Sequence, residues 1–209
     1  MREELCDEAL RLGRLLVELM PDEGEAIGLL ALMLLIDARR PTRTDARGFL
    51  EPLSQQDRNR WRRDRIEEGQ QLVRRSLRVN RPGPYQVQAA IQAVHSDATT
   101  ANETDWAQVV ALYDQLLAIR PDPIARLNRA VAVAEVAGPD IGLRLVDELD
   151  LDRYHLYHAI RADLLRRLGR TDDASAAYAA AMERTENDVE RAYLQTRIAS
   201  LSSGAATGR

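Results

Sequence analysis

The amino-acid sequence predicts an all-α protein built as an array of antiparallel helix pairs. Apolar residues recur every three or four positions along most of the chain, which is the period of an amphipathic helix. No stretch sustains the alternation of apolar and polar residues that is typical of a strand. Proline and glycine interrupt the helical pattern at short intervals, as they do at helix ends. With 209 residues, of which 45% are apolar, the chain is long enough to bury a core.

Residues 1–100 are predicted to form an irregular helical part. The first helix carries a leucine stripe, and the second is apolar almost all round, so we expect the second at the centre of the packing. A polar stretch over 40–54, which contains proline and glycine, predicts a loop. Gly69 lies on the buried face of the third helix and predicts a close approach by another helix. The predicted helices span 3–19, 23–39, 55–79 and 84–97, and the stripe consists of Leu5, Leu12, Leu15, Leu16 and Leu19.

Residues 101–201 show a repeating pattern. Gly138 and Gly169 each close the first helix of a predicted pair and lie 31 residues apart. Tetratricopeptide repeats are helix–turn–helix units of about 34 residues, so the spacing predicts repeats of this type in the C-terminal half. Residues 202–209 are rich in Ser, Gly and Ala and predict a disordered tail. Small or aromatic residues recur along the predicted helix 172–183 at Ala174, Tyr178 and Ala181. The predicted helices of this half span 105–119, 123–137, 140–149, 154–168, 172–183 and 189–201.

Composition excludes several classes of function. All 29 basic residues are arginine, so no lysine is present for Schiff-base or P-loop chemistry. The single cysteine, Cys6, excludes an internal disulfide framework and a Cys-rich zinc module. The longest uncharged apolar run, 27–36, is too short to span a bilayer, and no membrane association is expected. We therefore expect a cytoplasmic protein.

The sequence contains no motif that predicts an enzyme. It lacks the nucleophile-elbow, dinucleotide and P-loop patterns. His155 and His158 are spaced to share a metal with an acid such as Asp163, but two histidines without HExxH or a Cys/His cluster make an incomplete site. His95 follows the apolar positions of its helix and is interpreted as a hydrogen-bonded packing residue. No catalytic residue, metal site or cofactor is predicted.

Charge is distributed unevenly along the chain. The net charge of −4 argues against a protein whose whole surface binds nucleic acid. Residues 37–81, however, hold 13 arginines and 7 acids, a local excess of +6. This segment is either a basic surface for an acidic protein or a phosphate backbone, or a solvated helix face with internal pairs such as Arg60–Asp64 and Arg63–Glu67. The second interpretation is favoured, and Trp61 within the segment is interpreted as a core residue rather than an anchor for a partner.

Several unusual strings occur in a fixed order along the chain. They are DARRPTR (37–43), LSQQDRNRW (53–61), GPYQVQAAI (83–91) with His95, TDWAQVVALYD (104–114), LNRAVAV (127–133), and Tyr154-His155 followed by RADLLRRLGR (161–170). Together they resemble the C-terminal extension of a bacterial group of extracytoplasmic-function (ECF) RNA polymerase sigma factors, in which a tetratricopeptide-like domain follows the sigma regions. The resemblance runs from about residue 5 to residue 201.

The resemblance implies a regulatory and protein-interaction domain of a transcription initiation factor. Such a domain would modulate sigma activity through contacts with the sigma regions, core RNA polymerase or a signalling partner. The polymerase-binding and promoter-reading parts of the family lie upstream of this region, so the chain corresponds to the extension alone and is not expected to bind DNA specifically. The residues expected to contact a partner are Arg39, Arg40, Arg58, Trp61, Tyr85, Gln86, Gln88, Trp106, Asn128, Arg129 and Arg161.

Other interpretations remain open at this point. Asn128 and Arg129 are placed to face the concave side of the repeats, but Asn128 and Trp106 are equally consistent with bracing neighbouring helices. One alternative function is a free-standing tetratricopeptide-like adaptor that binds peptide segments. Another is a small-molecule sensor or enzyme with a pocket near His95 or His155.

Overall fold

A computed structural model describes residues 3–45, 48–79 and 81–206. Within these ranges the chain forms ten α-helices, three short 3-10 helices and no strand, which confirms the predicted all-α array of helix pairs. The chain divides into two compact units. Unit 1 comprises the described chain up to Arg43 together with Glu51–Pro121, and unit 2 comprises Thr44–Leu50 together with the described chain from Asp122 onward.

Unit 1 is built around one central helix. Its helices are α1 (Glu3–Leu19), α2 (Gly24–Ala38), α3 (Arg63–Leu77), α4 (Pro84–Asp97) and α5 (Trp106–Ile119). Because α2 is apolar on every side, it packs against α1, α3 and α4 at once, as predicted. Ile27, Leu34 and Leu35 of α2 are completely buried. The division between the units follows α5, which packs against α4, whereas the sequence pattern divided the chain at residue 100.

Two glycines let neighbouring helices approach α2 closely. A Cβ on Gly69 of α3 would lie 2.8 Å from Leu35 Cγ, which confirms the close approach predicted at this position. A Cβ on Gly28 of α2 would lie 2.7 Å from the backbone nitrogen of Gln86, at the start of α4. Real Cβ atoms do not make contacts this short. A larger residue at Gly69 therefore requires the Leu35 side chain to move, and one at Gly28 requires the backbone of α4 to move away.

The predicted helix over 55–79 is wrong in its first part. The Asp57 side chain accepts a hydrogen bond from the Asn59 backbone and caps a short 3-10 helix, Arg58–Arg60. Trp61 then has extended backbone angles, and its indole is buried, with Nε1 donating to Thr42 Oγ1 at 2.9 Å. Docking this side chain interrupts the helical path, so α3 begins only at Arg63.

Unit 2 is a succession of helices that each pack on the next. They are α6 (Pro123–Ala137), α7 (Pro139–Asp147), α8 (His155–Arg167), α9 (Thr171–Arg184) and α10 (Asp188–Ala206). Gly138 and Gly169 follow α6 and α8 with φ of 98° and 72°, as predicted for residues that close the first helix of a pair. The connections are short, so consecutive helices run antiparallel. Leu127, Val146, Leu165 and Tyr178 are central members of the core.

Residues 202–209 are the segment predicted to form a disordered tail. Residues 202–206 continue α10, which ends at Ala206. Alanine has the highest intrinsic helix propensity, and two alanines end the helix. Residues 207–209 lie outside the described part of the chain.

Candidate interaction surfaces

Arg58 links the 3-10 helix before α3 to the end of α4. Its side chain is buried, and its Nη1 donates to the carbonyls of His95 at 2.5 Å and Ala98 at 2.7 Å, while Nη2 donates to Thr104 Oγ1 at 3.4 Å. The last carbonyls of a helix have no partner within the helix and carry partial negative charge, so a guanidinium is well suited to this place. The cation also lies 4.9 Å from the centre of the Trp61 ring. Arg58 and Trp61 therefore stabilise unit 1 from within.

A second cluster of charges surrounds Asp37 at the end of α2. Asp37 is buried and forms ion pairs with Arg40 and Arg62 at 3.3 Å and with Arg65 at 3.9 Å. Two of these arginines, Arg40 and Arg62, also reach Glu3 at the start of α1, at 3.2 and 2.9 Å. The positive charge of these three arginines is therefore paired inside unit 1, where the ion pairs join α1, α2 and α3.

Internal pairing was expected for this segment, but its partners differ from those predicted. Among the described residues, no ion pair joins Arg60 to Asp64 or Arg63 to Glu67. Arg60 precedes the start of α3, so it does not share a helix face with Asp64, and its Nη2 donates instead to the Pro41 carbonyl. Several arginines of the segment remain exposed, among them Arg60 and Arg63 beside the start of α3. Others lie near the end of α3, where positive charge complements the helix dipole. They include Arg74, Arg75 and Arg78.

The remaining predicted contact residues of unit 1 differ in exposure. Gln86 is buried, and its side chain donates to the Arg81 carbonyl at 3.0 Å. Gln88 and Trp106 are half-buried, and Trp106 meets the His95 ring edge-on at 5.2 Å. Tyr85 is exposed. Within this set Tyr85 is therefore the residue most open to a partner.

Unit 2 places its three predicted contact residues on two helices. Asn128 is exposed and Arg129 is half-buried on α6. Arg161 of α8 donates from Nε to Asp147 Oδ1 at 2.7 Å and so links α8 to the end of α7. Of the three, Asn128 is the most accessible side chain.

The three histidines lie in separate places and contact different groups of the protein. His95 is buried, and desolvation, together with Arg39 and Arg58, lowers its pKa to about 4. His155 Nε2 lies 2.9 Å from Glu190 Oε2, and His158 Nε2 donates to the Asp152 carbonyl at 2.7 Å. Asp163, the acid considered for a shared metal, pairs instead with arginines of α8 and α10. Across the described chain, no three His, Cys, Asp or Glu side chains gather as a metal site would need.

The surface that sequence reasoning missed is the outer face of α1. Its inner face packs on α2 through Leu10, Gly13 and Val17, and Leu16 of the predicted stripe packs against the same core, whereas the other four leucines of the stripe point to solvent. The exposed fractions are 62% for Leu5, 50% for Leu12 and 73% for Leu19. A signal was available in the sequence, because α1 carries apolar residues on more than half of its circumference, which is more than one packing neighbour covers. We call Leu5, Leu12, Leu15 and Leu19 the α1 stripe.

A small apolar groove lies on the other side of α1, against α2. It has a volume of about 200 Å³, and its walls include Cys6, Leu10 and Met33, with Arg40 and Arg43 at its edge. This volume is below the usual range for ligand pockets, about 300–1,000 Å³. The groove is not next to His95 or His155, the two histidines near which a pocket was considered.

None of the described helices is long and apolar enough to cross a membrane.

The matches found by comparison with known proteins have no assigned function. Residues 1–77 match a family of unknown function, DUF6596. The chain is 42% identical over 206 residues to an uncharacterized protein of Rhizobium meliloti (strain 1021), and the match covers 98% of this chain and 49% of that protein. No solved structure matches the chain with significance. The chain thus spans about half the length of this curated relative.

Proposed function

We propose that this chain is a regulatory, protein-interaction domain of an ECF sigma factor. It modulates transcription initiation through contacts with the sigma regions, with core RNA polymerase or with a signalling partner, and it acts in the cytoplasm. The ordered strings over 37–170 support the link to sigma factors. The length of the R. meliloti relative is consistent with such an arrangement, because that protein has about as much chain again outside the match.

The observation that carries the interaction role is the α1 stripe. Three of its leucines, Leu5, Leu12 and Leu19, recur every seven residues, the spacing with which one helix packs along another. Exposed leucines at this spacing favour a partner that offers an apolar helical face. We assign that partner to the sigma regions of the same polypeptide, because a tethered partner is present at an effective concentration of about 1 mM or more.

The buried motif residues take a different part in this proposal. Arg58, Trp61 and Gln86 hold unit 1 together and so keep in place α2, on which α1 packs. Tyr85 and Asn128, which are exposed, are the motif residues available for further contacts. Most of the strings that carry the resemblance are therefore explained by packing, and the contact surface lies largely outside them. Specific binding of promoter DNA is assigned to the sigma regions and not to this chain.

Binding of the chain to purified sigma regions supplied separately tests the proposal. The double variant Leu12→Gln/Leu19→Gln should weaken binding about tenfold or more, because two leucines no longer bury apolar surface in the contact. Leu77→Gln, which changes another exposed leucine of unit 1, is the matched control and should bind as the unchanged chain does. Equal binding by the double variant and the control would contradict the proposal.

The adaptor alternative depends on unit 2 instead. A free-standing tetratricopeptide-like adaptor would bind peptides across α6 and α8, so Asn128→Ala would weaken binding while the α1 variants would not. The sensor alternative would use the open depressions beside the two histidines, one of about 260 Å³ at the end of α4 after His95 and one of about 700 Å³ over 150–154 before His155. Sigma regions encoded in frame with this domain would favour the sigma-factor proposal over both.

A further inference from the structure

Cationic side chains of unit 1 lie near the last turns of α4, around His95. Arg39, which follows α2, donates to Gln92 of α4, and Arg58, from the 3-10 helix before α3, donates to the His95 carbonyl. Desolvation, Arg39 and Arg58 lower the pKa of His95, and desolvation, Arg43 and Arg58 lower the pKa of Arg39 to about 10. This set of residues, Arg39, Arg43, Arg58 and His95, is called the cationic cluster below.

Three nitrogen atoms of the cationic cluster, one on each of Arg39, Arg58 and His95, are buried and lack hydrogen-bond partners. Arg39 donates from Nη2 to Gln92 Oε1 at 2.8 Å, but its Nε is buried and unpartnered. The Nε of Arg58 and the Nδ1 of His95 are also buried and unpartnered, and both residues are more than nine-tenths buried. Buried polar atoms in proteins nearly always have a partner, so these nitrogens indicate a missing group.

Of the acids of unit 1, Glu103 acts on the cluster by its charge, which partly offsets the lowering of the Arg58 pKa by burial. In the described part of the chain, no carboxylate forms an ion pair with Arg39, Arg43 or Arg58. Asp37, two residues before Arg39, pairs with the other arginines at the end of α2 and the start of α3. Buried charges are costly unless they are paired, and like charges raise that cost. An anion bound among the guanidinium groups removes both penalties.

We propose that the cationic cluster binds a phosphate group, supplied as inorganic phosphate or as a small phosphate monoester. Guanidinium groups match phosphate oxygens in geometry and charge, and several of them together favour phosphate over a single carboxylate. Arg39 and Arg43 are half-buried, whereas Arg58 and His95 are buried. This inference is independent of the sigma-factor proposal, since it uses no residue of the α1 stripe.

Calorimetric titration with inorganic phosphate and, separately, with glycerol phosphate tests the site. We expect saturable binding of one anion per chain. The compound that binds more tightly identifies the source of the phosphate group. Arg39→Gln should weaken binding about tenfold, because it removes one charge-assisted contact. Arg74→Gln removes the same charge from an exposed position outside the cluster and should leave binding unchanged. Arg58 is left intact because it also caps α4.

The signal of His95 in a nuclear magnetic resonance titration is a second, local measurement. Without an anion its pKa is about 4, and a bound phosphate should raise that pKa, because the anion stabilises the protonated ring. His155 and His158 are internal controls and should not respond. The proposal is overturned if neither compound saturates the chain up to about 10 mM, a very weak affinity. It is also overturned if Arg39→Gln binds as tightly as the unchanged chain, or if His95 does not respond at saturation.

Discussion

At the scale of single residues, Arg58 shows how one side chain joins segments far apart in the sequence. Its hydrogen bonds reach the carbonyls of His95 and Ala98 and the hydroxyl of Thr104, about 40 residues away. Arg58 belongs to the string over 53–61, and for that reason the sequence predicted that it contacts a partner. Its actual bonds depend on where α4 ends in space, which the local pattern of residues does not contain.

Replacing Arg58 with lysine should destabilise unit 1. Lysine keeps the positive charge but cannot donate to three acceptors from a planar fork, so we expect a loss of about 2 kcal/mol in the free energy of unfolding. Arg60→Lys, two residues away and exposed, is the matched control and should change it by less than about 0.5 kcal/mol. Urea unfolding followed by circular dichroism measures both. Equal stability of the two variants would contradict the capping role of Arg58.

Gly169 is a residue whose role the sequence predicted correctly. The Gly169 amide donates to the Arg166 carbonyl and the Arg170 amide to the Leu165 carbonyl, both at 3.0 Å, which is the hydrogen-bond pattern of a Schellman helix end. This pattern requires the positive φ of 72°. No atom lies within 4 Å of a Cβ built at this position, so only backbone strain opposes substitution.

Gly169→Ala should therefore cost about 1 kcal/mol of unfolding free energy, since alanine disfavours the left-handed region. Gly169→Asn should cost less, because asparagine tolerates this region better than other side chains. Chemical denaturation of the two variants side by side gives the comparison. If asparagine proves as costly as alanine, or more so, backbone strain is not the reason for glycine here.

His95 makes the stability of the protein depend on pH. Its pKa is about 4 in the folded protein and close to 6.5 when it is exposed, so between these values the unfolded chain binds a proton that the folded protein does not. The contribution of neutral His95 to stability is complete above pH 6.5 and should fall by up to about 3 kcal/mol as the pH decreases to 4. His95→Phe, measured in phosphate-free buffer, should reduce this slope. A slope that His95→Phe does not alter would contradict the assignment.

At the scale of elements, α1 has two apolar faces with different tasks. One face packs on α2 around Leu10 and Val17, and the other is the α1 stripe. The spacing of apolar residues predicted the helix and its stripe. It did not indicate which apolar face packs, because that depends on where α2 lies and on the ion pairs that hold the start of α1 to Arg62 and Arg65.

The two faces of α1 should respond differently to substitution. Leu10→Ala should lower the free energy of unfolding by about 2–4 kcal/mol, because it opens a cavity against α2. Leu12→Ala, on the α1 stripe, makes the same chemical change and should lower it by less than about 0.5 kcal/mol. Thermal or urea unfolding of both variants tests this assignment. A large loss for Leu12→Ala would show that the stripe is part of the core and does not await a partner.

At the scale of the whole molecule, the sequence predicted the class of fold and most helices. Periodicity, glycine and proline were sufficient for this, because they act within a few residues of each other. The start of α3 and the division after α5 were not predicted, because each depends on tertiary packing: Trp61 docks into unit 1, and α5 packs on α4. Candidate contact residues were the hardest to predict, since a motif marks buried and exposed residues alike.

The central claim is that this domain controls the activity of an attached sigma factor. Its most direct test is promoter-dependent transcription in vitro with reconstituted polymerase. The proteins to compare are a sigma factor that carries this domain, the same protein with Leu12→Gln/Leu19→Gln, and the same protein from which the domain is deleted. We predict that deletion and the double substitution both change promoter output several-fold and in the same direction, while Leu77→Gln does not. Unchanged output from the deleted form would contradict the account.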